Sequence, residues 1–334
     1  MKFRPFLSFE KLKRGEYSRQ IAAPLIVLAT FILIRISAGI DTMLTRENEY
    51  AAEIILQLMI FLFPALLYLV LTGQTLRGKR LRPFGPGHLL LLLSALVCLI
   101  CGSLLINLQI FGYDTLSGGY DLYGIFTAKN TGKSGDTAYL ILAYAFLPAI
   151  CEEFVFRGLL SCEYEKRSTT AAILMPSLFF AMLHFDFENF PVLFFSGVVL
   201  ALTMYASRSV LASMTVHFFY NLNSVFGRTL FQTLYDLGGE TFFIFLITSL
   251  FLFSSFMFCA EAARLYRSYS DRNLESDYRK MNPPYAAPGS EELKNNPVAA
   301  FSAKFPRISA TLTAILSPTA LVCYVFYFAV IFLG

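Results

Sequence analysis

Apolar runs of spanning length recur along the chain, separated by shorter polar stretches. An α-helix rises 1.5 Å per residue and needs about 20 apolar residues to cross a hydrocarbon core of ~30 Å. The pattern predicts spans near 21–40, 51–72, 88–108, 138–161, 170–185, 189–206, 209–226, 241–263 and 309–333. The segment 170–185 is short, and its Pro176 predicts a kink or break. The expected fold is all-α, a polytopic transmembrane helical bundle of eight or nine spans.

Charge between the runs gives an orientation. Segments 1–20, 73–87, 162–169, 207–208 and 264–307 hold 21 Lys/Arg against 9 Asp/Glu, whereas 41–50, 109–137, 186–188 and 227–240 hold 4 against 10. Basic loops stay in the cytoplasm, so the N-terminus is expected inside and, with nine spans, the C-terminus outside. The first apolar run is too long for a signal peptide and lacks a small-residue cleavage site, so it is expected to remain as a span.

Composition agrees. The chain is 56% hydrophobic and only 15% charged, with a mean hydropathy of +0.58, whereas soluble domains carry about 25% charged residues. The net charge of +4 comes from the flanks and gives no nucleic-acid signal. All six cysteines lie in or beside apolar runs, so Cys98-x-x-Cys101 reads as helix packing rather than a metal or redox motif.

The expected organisation is a basic cytoplasmic N-terminus (1–20), N-terminal spans with an outer loop (21–137), core helices (138–226), and a further span with its outer loop (227–263). A cytoplasmic linker (264–307), too polar to fold alone, and a last span (308–334) complete it. The outer loop 109–137 is Gly- and Tyr-rich and suggests a cap.

Against this background the sequence "AICEEFVFRGLL" at 149–160 is anomalous. A charged side chain at the bilayer centre costs roughly 2.5–3.5 kcal/mol even on translocon scales. Glu153 and Arg157 are i, i+4 neighbours with glutamate first, the favourable order for an ion pair. Glu152 points about 100° away and is left to face other helices. His184, and the i, i+4 pair His217 and Asn221, lie in the spans that follow. His88 sits at a boundary, where an interfacial role suffices. Polar contacts between membrane helices contribute only roughly 0.6 kcal/mol each. Such contacts do not offset this many insertion penalties, so a site is the better reading.

A carboxylate, two histidines and an amide can activate water and hold an oxyanion. Glu152, His184 and His217 could also bind zinc, although the helical H-E-x-x-H arrangement is absent. Counting residues leaves a mismatch in depth: Glu152 lies roughly 15 Å and His217 roughly 12 Å from the expected cytoplasmic ends of their helices. His184 counts out at more than about 20 Å, so its helix must tilt or break.

The three motifs "EEFVFRG" (152–158), "FAMLH" (180–184) and "HFFYN" (217–221) resemble those of the CPBP intramembrane proteases, also called CAAX proteases or Abi proteins. The resemblance covers roughly 140–226, including Gly197 and the "YASRSVLASMTVH" approach to the third motif. It implies an intramembrane endopeptidase acting at the cytoplasmic side of the membrane. Glu152 would activate water, His184 would hold or share its proton, and His217 and Asn221 would stabilise the oxyanion. Glu153 and Arg157 match as a supporting pair. No cofactor is expected, with a divalent metal such as zinc as the alternative. The implied partners are a membrane-associated peptide or protein, prenylated or not, and the bilayer of a bacterial plasma membrane, with no nucleic acid. Two other functions stay open: a non-catalytic immunity or scaffold protein of the same family, and an ion or proton-coupled transporter.

Overall fold

The computed structural model describes residues 22–41, 49–76, 79–114, 116, 122–130, 132, 135–165, 168–271 and 306–333. Among them the regular structure is helical, with no strand. The helices are α1 (Pro24–Asp41), α2 (Glu49–Thr72), α3 (Leu89–Phe111) and α4 (Tyr123–Lys129). They continue with α5 (Asp136–Glu165), α6 (Thr169–Leu183), α7 (Phe190–Ser207), α8 (Val210–Asp271), α9 (Pro306–Ile315) and α10 (Pro318–Leu333).

Among the described residues five helical stretches are long and apolar enough to cross a membrane: Ala51–Thr72, Pro86–Phe111, Asp136–Glu165, Phe190–Ser207 and Val210–Ser268. The pair α9 and α10, bent by 51°, makes a sixth if counted as one span. The apolar helices Pro24–Ala38 and Thr169–Leu183 are shorter. Large side chains such as Val70, Phe245, Leu252 and Phe256 are exposed on the outer faces, as an integral membrane protein requires. The eight or nine spans expected from the sequence are not established by helix length.

The longest helix, α8, is bent back on itself. Cys98 and Ser103 sit on α3 and hydrogen-bond to Ser255 and Tyr220 respectively. A straight α8 would hold those two partners roughly 50 Å apart. The reversal is at Gly239, whose φ of 69° and ψ of −179° suit a residue without Cβ. Tyr235 and Phe243 then meet across the turn, ring centroids 5.8 Å apart. Limbs 210–238 and 240–271 both pack on α3, one cluster joining Leu99, Tyr220 and Phe258, another Leu104, Phe231 and Phe243.

The stretch 227–240, expected as an outer loop, is therefore helical apart from Gly239, because Phe231 and its neighbours continue the apolar face. Helix α8 also runs through the first residues of the expected linker as far as Asp271. The rest of that linker to 305, and the basic N-terminus 1–20, lie outside the described residues. Within the stretch 109–137, expected as an outer loop, α4 docks through Phe126 on Leu140 and Val225.

Pro176 does not break α6, which is continuous from Thr169 to Leu183. The carbonyl that loses its intrahelical donor to a proline is four residues back, here Ala172. Ser161 Oγ of α5 donates to Ala172 O at 2.9 Å and fills that place. Ser168 caps the start of α6, its Oγ accepting from Ala171 N at 3.2 Å.

The depth mismatch resolves at both ends. Helix α5 extends to Glu165, so Glu152 lies about 20 Å from its end, level with His184 at about 22 Å from the start of α6. The beginning of α8 is itself buried, with Val210 at 0% exposure. A strap formed by 79–85 lies beneath it. Arg80 O accepts from Val210 N at 2.9 Å, and Arg82 O accepts from Ser209 Oγ at 2.5 Å. Arg80 is held by Glu165 at 2.5 Å and by the Tyr205 ring, while Lys79 lies 3.6 Å from the fully buried Glu163. The start of α8, and the residues counted from it, are thus set back within the protein behind the strap.

Candidate active site

Helix α5 carries the glutamates between two wide, π-helical turns, Leu142–Phe146 and Phe154–Leu160. Such turns insert one extra residue per turn and are frequent at functional sites. Glu152 and Glu153 close the ordinary α-helical stretch between them, and Arg157 lies within the second.

Glu153 is fully buried and takes three donors. Arg157 Nη1 lies 2.7 Å from its Oε1, His217 Nδ1 lies 3.0 Å from the same oxygen, and Ser213 Oγ donates to Oε2. A carboxylate accepts only, so the His217 proton sits on Nδ1 in that bond. Ser213, His217 and Asn221 are four residues apart in turn and form one stripe on α8. The sequence reading missed Ser213, although its i−4 spacing from His217 was visible in the quoted approach to the third motif.

Arg157 is fully enclosed. Its Nη2 donates to Gly197 O at 2.9 Å, and its guanidinium lies 4.8 Å from the Phe180 ring centroid. Gly197 permits the approach of α7 to α6: a Cβ there would come within 2.9 Å of the Ser177 Cα. A methyl would force the two backbones apart and move the Arg157 acceptor.

Glu152 differs from its neighbour. Its side chain is almost wholly buried, and Oε2 has no hydrogen-bond partner among the described residues. His217 Nε2 lies 4.0 Å from that oxygen. His217 therefore bridges the pair, one nitrogen on Glu153 and the other facing Glu152.

Phe180 links the remaining members. Its ring packs edge-on to His184 at 5.3 Å and to His217 at 5.7 Å, and its carbonyl accepts from His184 Nδ1 at 3.0 Å. The aromatic residue four places before His184 thus orients both histidines and faces the arginine. Asn221 Nδ2 donates to Ala145 O in the first wide turn at 3.4 Å. Of the six residues singled out in the sequence, Glu152, Glu153, Arg157 and His217 are joined by direct contacts, and His184 and Asn221 reach the group through Phe180 and Ala145. His88, by contrast, is at a helix start, its Nδ1 3.1 Å from Gly85 O.

A catalytic metal would need Glu152, His184 and His217 to converge. Among the described residues no three His, Cys, Asp or Glu side chains form a group that could hold a metal ion. One nitrogen of His217 is committed to Glu153, and His184 Nδ1 to Phe180 O. Each ring keeps its Nε2 for another partner, and the group as it stands is a buried carboxylate beside two imidazoles and an amide.

Residues 134–223 match a family model described as type II CAAX prenyl endopeptidase Rce1-like. The matched stretch contains every residue of the site from Glu152 to Asn221. No curated protein and no solved structure matches the chain.

Proposed function

Taking residues 134–223 as an Rce1-like domain, we propose that the protein is an intramembrane endopeptidase in which Glu152 activates water for attack on a peptide bond. A membrane protease of the CAAX type accounts for the family match and the apolar helices together. The observation that carries the finer reading is the contrast between the adjacent glutamates. Glu153 is saturated by Arg157, His217 and Ser213, while Glu152 Oε2 is buried with no hydrogen-bond partner among the described residues, 4.0 Å from His217 Nε2. Two polar atoms at that separation can share one water molecule.

In this mechanism Glu152 takes a proton as the water oxygen attacks the scissile carbonyl, and His184 shares that proton. The developing oxyanion is met by the Asn221 amide and by His217 Nε2, to which Glu152, 4.0 Å away, relays the proton it has taken. Glu153, bonded to Nδ1, offsets the charge that His217 gains in this step, and Arg157 fixes Glu153 in place. The proton then passes to the leaving amine. Each group is aimed at charge that develops only in the transition state, which is where stabilisation raises the rate. The substrate class is a membrane-associated peptide or protein segment, reached from the cytoplasmic side.

No step requires a metal. Activity of the purified protein on a fluorogenic farnesylated CaaX peptide is expected to survive EDTA or phenanthroline. Complete loss on chelation, restored by added zinc, would contradict the metal-free mechanism while leaving the residues in place.

The proposed topology has nine crossings, with α6 as one, α8 as two, and α9 with α10 as a broken one. Its basic loops face the cytoplasm. A tag at residue 1 is expected to be labelled only from inside and a tag after residue 334 only from outside. Both tags on one side would remove a crossing.

A further inference from the structure

A backbone carbonyl buried in a membrane helix must find its partner within the protein. In the first wide turn of α5, Leu147 N–H reaches back to Leu142 O. In that register the next donor, at 148, serves Ala143 O, but residue 148 is a proline without an N–H. Ala143 O is instead met by Gln57 Nε2 of α2, at 2.8 Å. Only the NH2 end of an amide can face a carbonyl, so this contact fixes which way Gln57 points. Pro176 is handled in the same way, with Ser161 on Ala172 O at 2.9 Å.

The turn is held on its other side too. Ala145 O, two residues on, accepts from Asn221 Nδ2. Between them Tyr144 OH donates at 2.8 Å to Glu53 Oε2, one helical turn before Gln57. Three consecutive residues of α5 are therefore tied to two residues of α2 and to Asn221. The Asn221 amide has two N–H groups. One on Ala145 O leaves the second directed by that anchor.

We propose that Gln57 is a positioning residue of the active site. By satisfying the carbonyl that Pro148 leaves without a donor, it sets the wide turn, and the Ala145 carbonyl of that turn aims the free N–H of Asn221 at the oxyanion. This rests on the endopeptidase reading and extends it to α2, which lies outside the matched residues 134–223.

Pro148 supplies the test, because Pro148→Ala returns an N–H to the position that Gln57 serves. Turnover of the fluorogenic farnesylated CaaX peptide and the unfolding midpoint in detergent are measured on the wild type, Gln57→Leu, Pro148→Ala and the double variant. Misplacing a catalytic group by an ångström costs on the order of 10²-fold. Gln57→Leu is expected to lower kcat by about 10- to 100-fold with KM nearly unchanged, and the double variant to regain most of that loss. A double variant as slow as Gln57→Leu overturns the proposal. So does a Gln57→Leu protein with a lower midpoint but wild-type kcat per folded molecule, which is the signature of a structural role alone. A wild type that leaves the peptide intact, with midpoints that still show rescue by Pro148→Ala, overturns the catalytic role through the endopeptidase reading and not through the carbonyl pairing.

Discussion

Replacing Glu152 with glutamine is expected to abolish peptide cleavage while the protein accumulates and unfolds as the wild type does. Glutamine keeps the shape of the side chain but cannot take a proton from water. General-base catalysis is typically worth about 10²–10⁴-fold, so the loss is readily measured in a turnover assay. Stability should hold because Glu152 Oε2 has no hydrogen-bond partner among the described residues, so neutralising it strands none of them. Retained turnover in Glu152→Gln would show that the base is elsewhere.

The neighbouring glutamate should respond in the opposite sense. Glu153→Gln leaves Arg157, which is fully enclosed, without its counter-ion at 2.7 Å. Breaking a buried ion pair by removing one partner costs roughly 3–5 kcal/mol, because the remaining charge is uncompensated. The same substitution loosens His217, whose Nδ1 bonds to Glu153, so activity falls together with the unfolding midpoint. Arg157→Gln should lose stability by a similar amount. The double variant Glu153→Gln with Arg157→Gln should recover part of it, since neither charge is then alone. Additive losses in that thermodynamic cycle would mean that the pair is not the stabilising element.

The motif residues were legible because their chemistry conflicts with their surroundings. Two glutamates and an arginine in a lipid-length apolar run announce themselves, and helical spacing alone pairs Glu153 with Arg157. His217 and Asn221 share a stripe that the same spacing exposes, and Ser213, one turn earlier on it, was missed because a serine conflicts little with an apolar helix. The family resemblance over roughly 140–226 coincides with the matched stretch 134–223.

Other features left no mark in the hydrophobic pattern. A wide turn changes which carbonyl meets which N–H without changing how apolar its residues are, so the turns at 142–146 and 154–160 could not be read from the sequence. The continuity of α6 through Pro176 depends on Ser161, and the wide turn before Pro148 on Gln57, and both partners come from other helices. The stretch 227–240 resembled a loop because Gly227, Arg228, Asp236, Gly238, Gly239 and Glu240 interrupt the apolar pattern, yet only Gly239 leaves the helix. The buried start of α8 depends on the strap at 79–85, whose basic residues read as an ordinary cytoplasmic loop.

The central claim is that this membrane protein hydrolyses peptide bonds with Glu152. It is tested most directly by comparing the membrane-fraction peptidomes of cells producing the wild type and cells producing Glu152→Gln at equal level. The expected result is a defined set of new peptide termini present only with the wild type and sharing a position relative to the membrane. Identical peptidomes, with both proteins folded and equally abundant, would contradict the account.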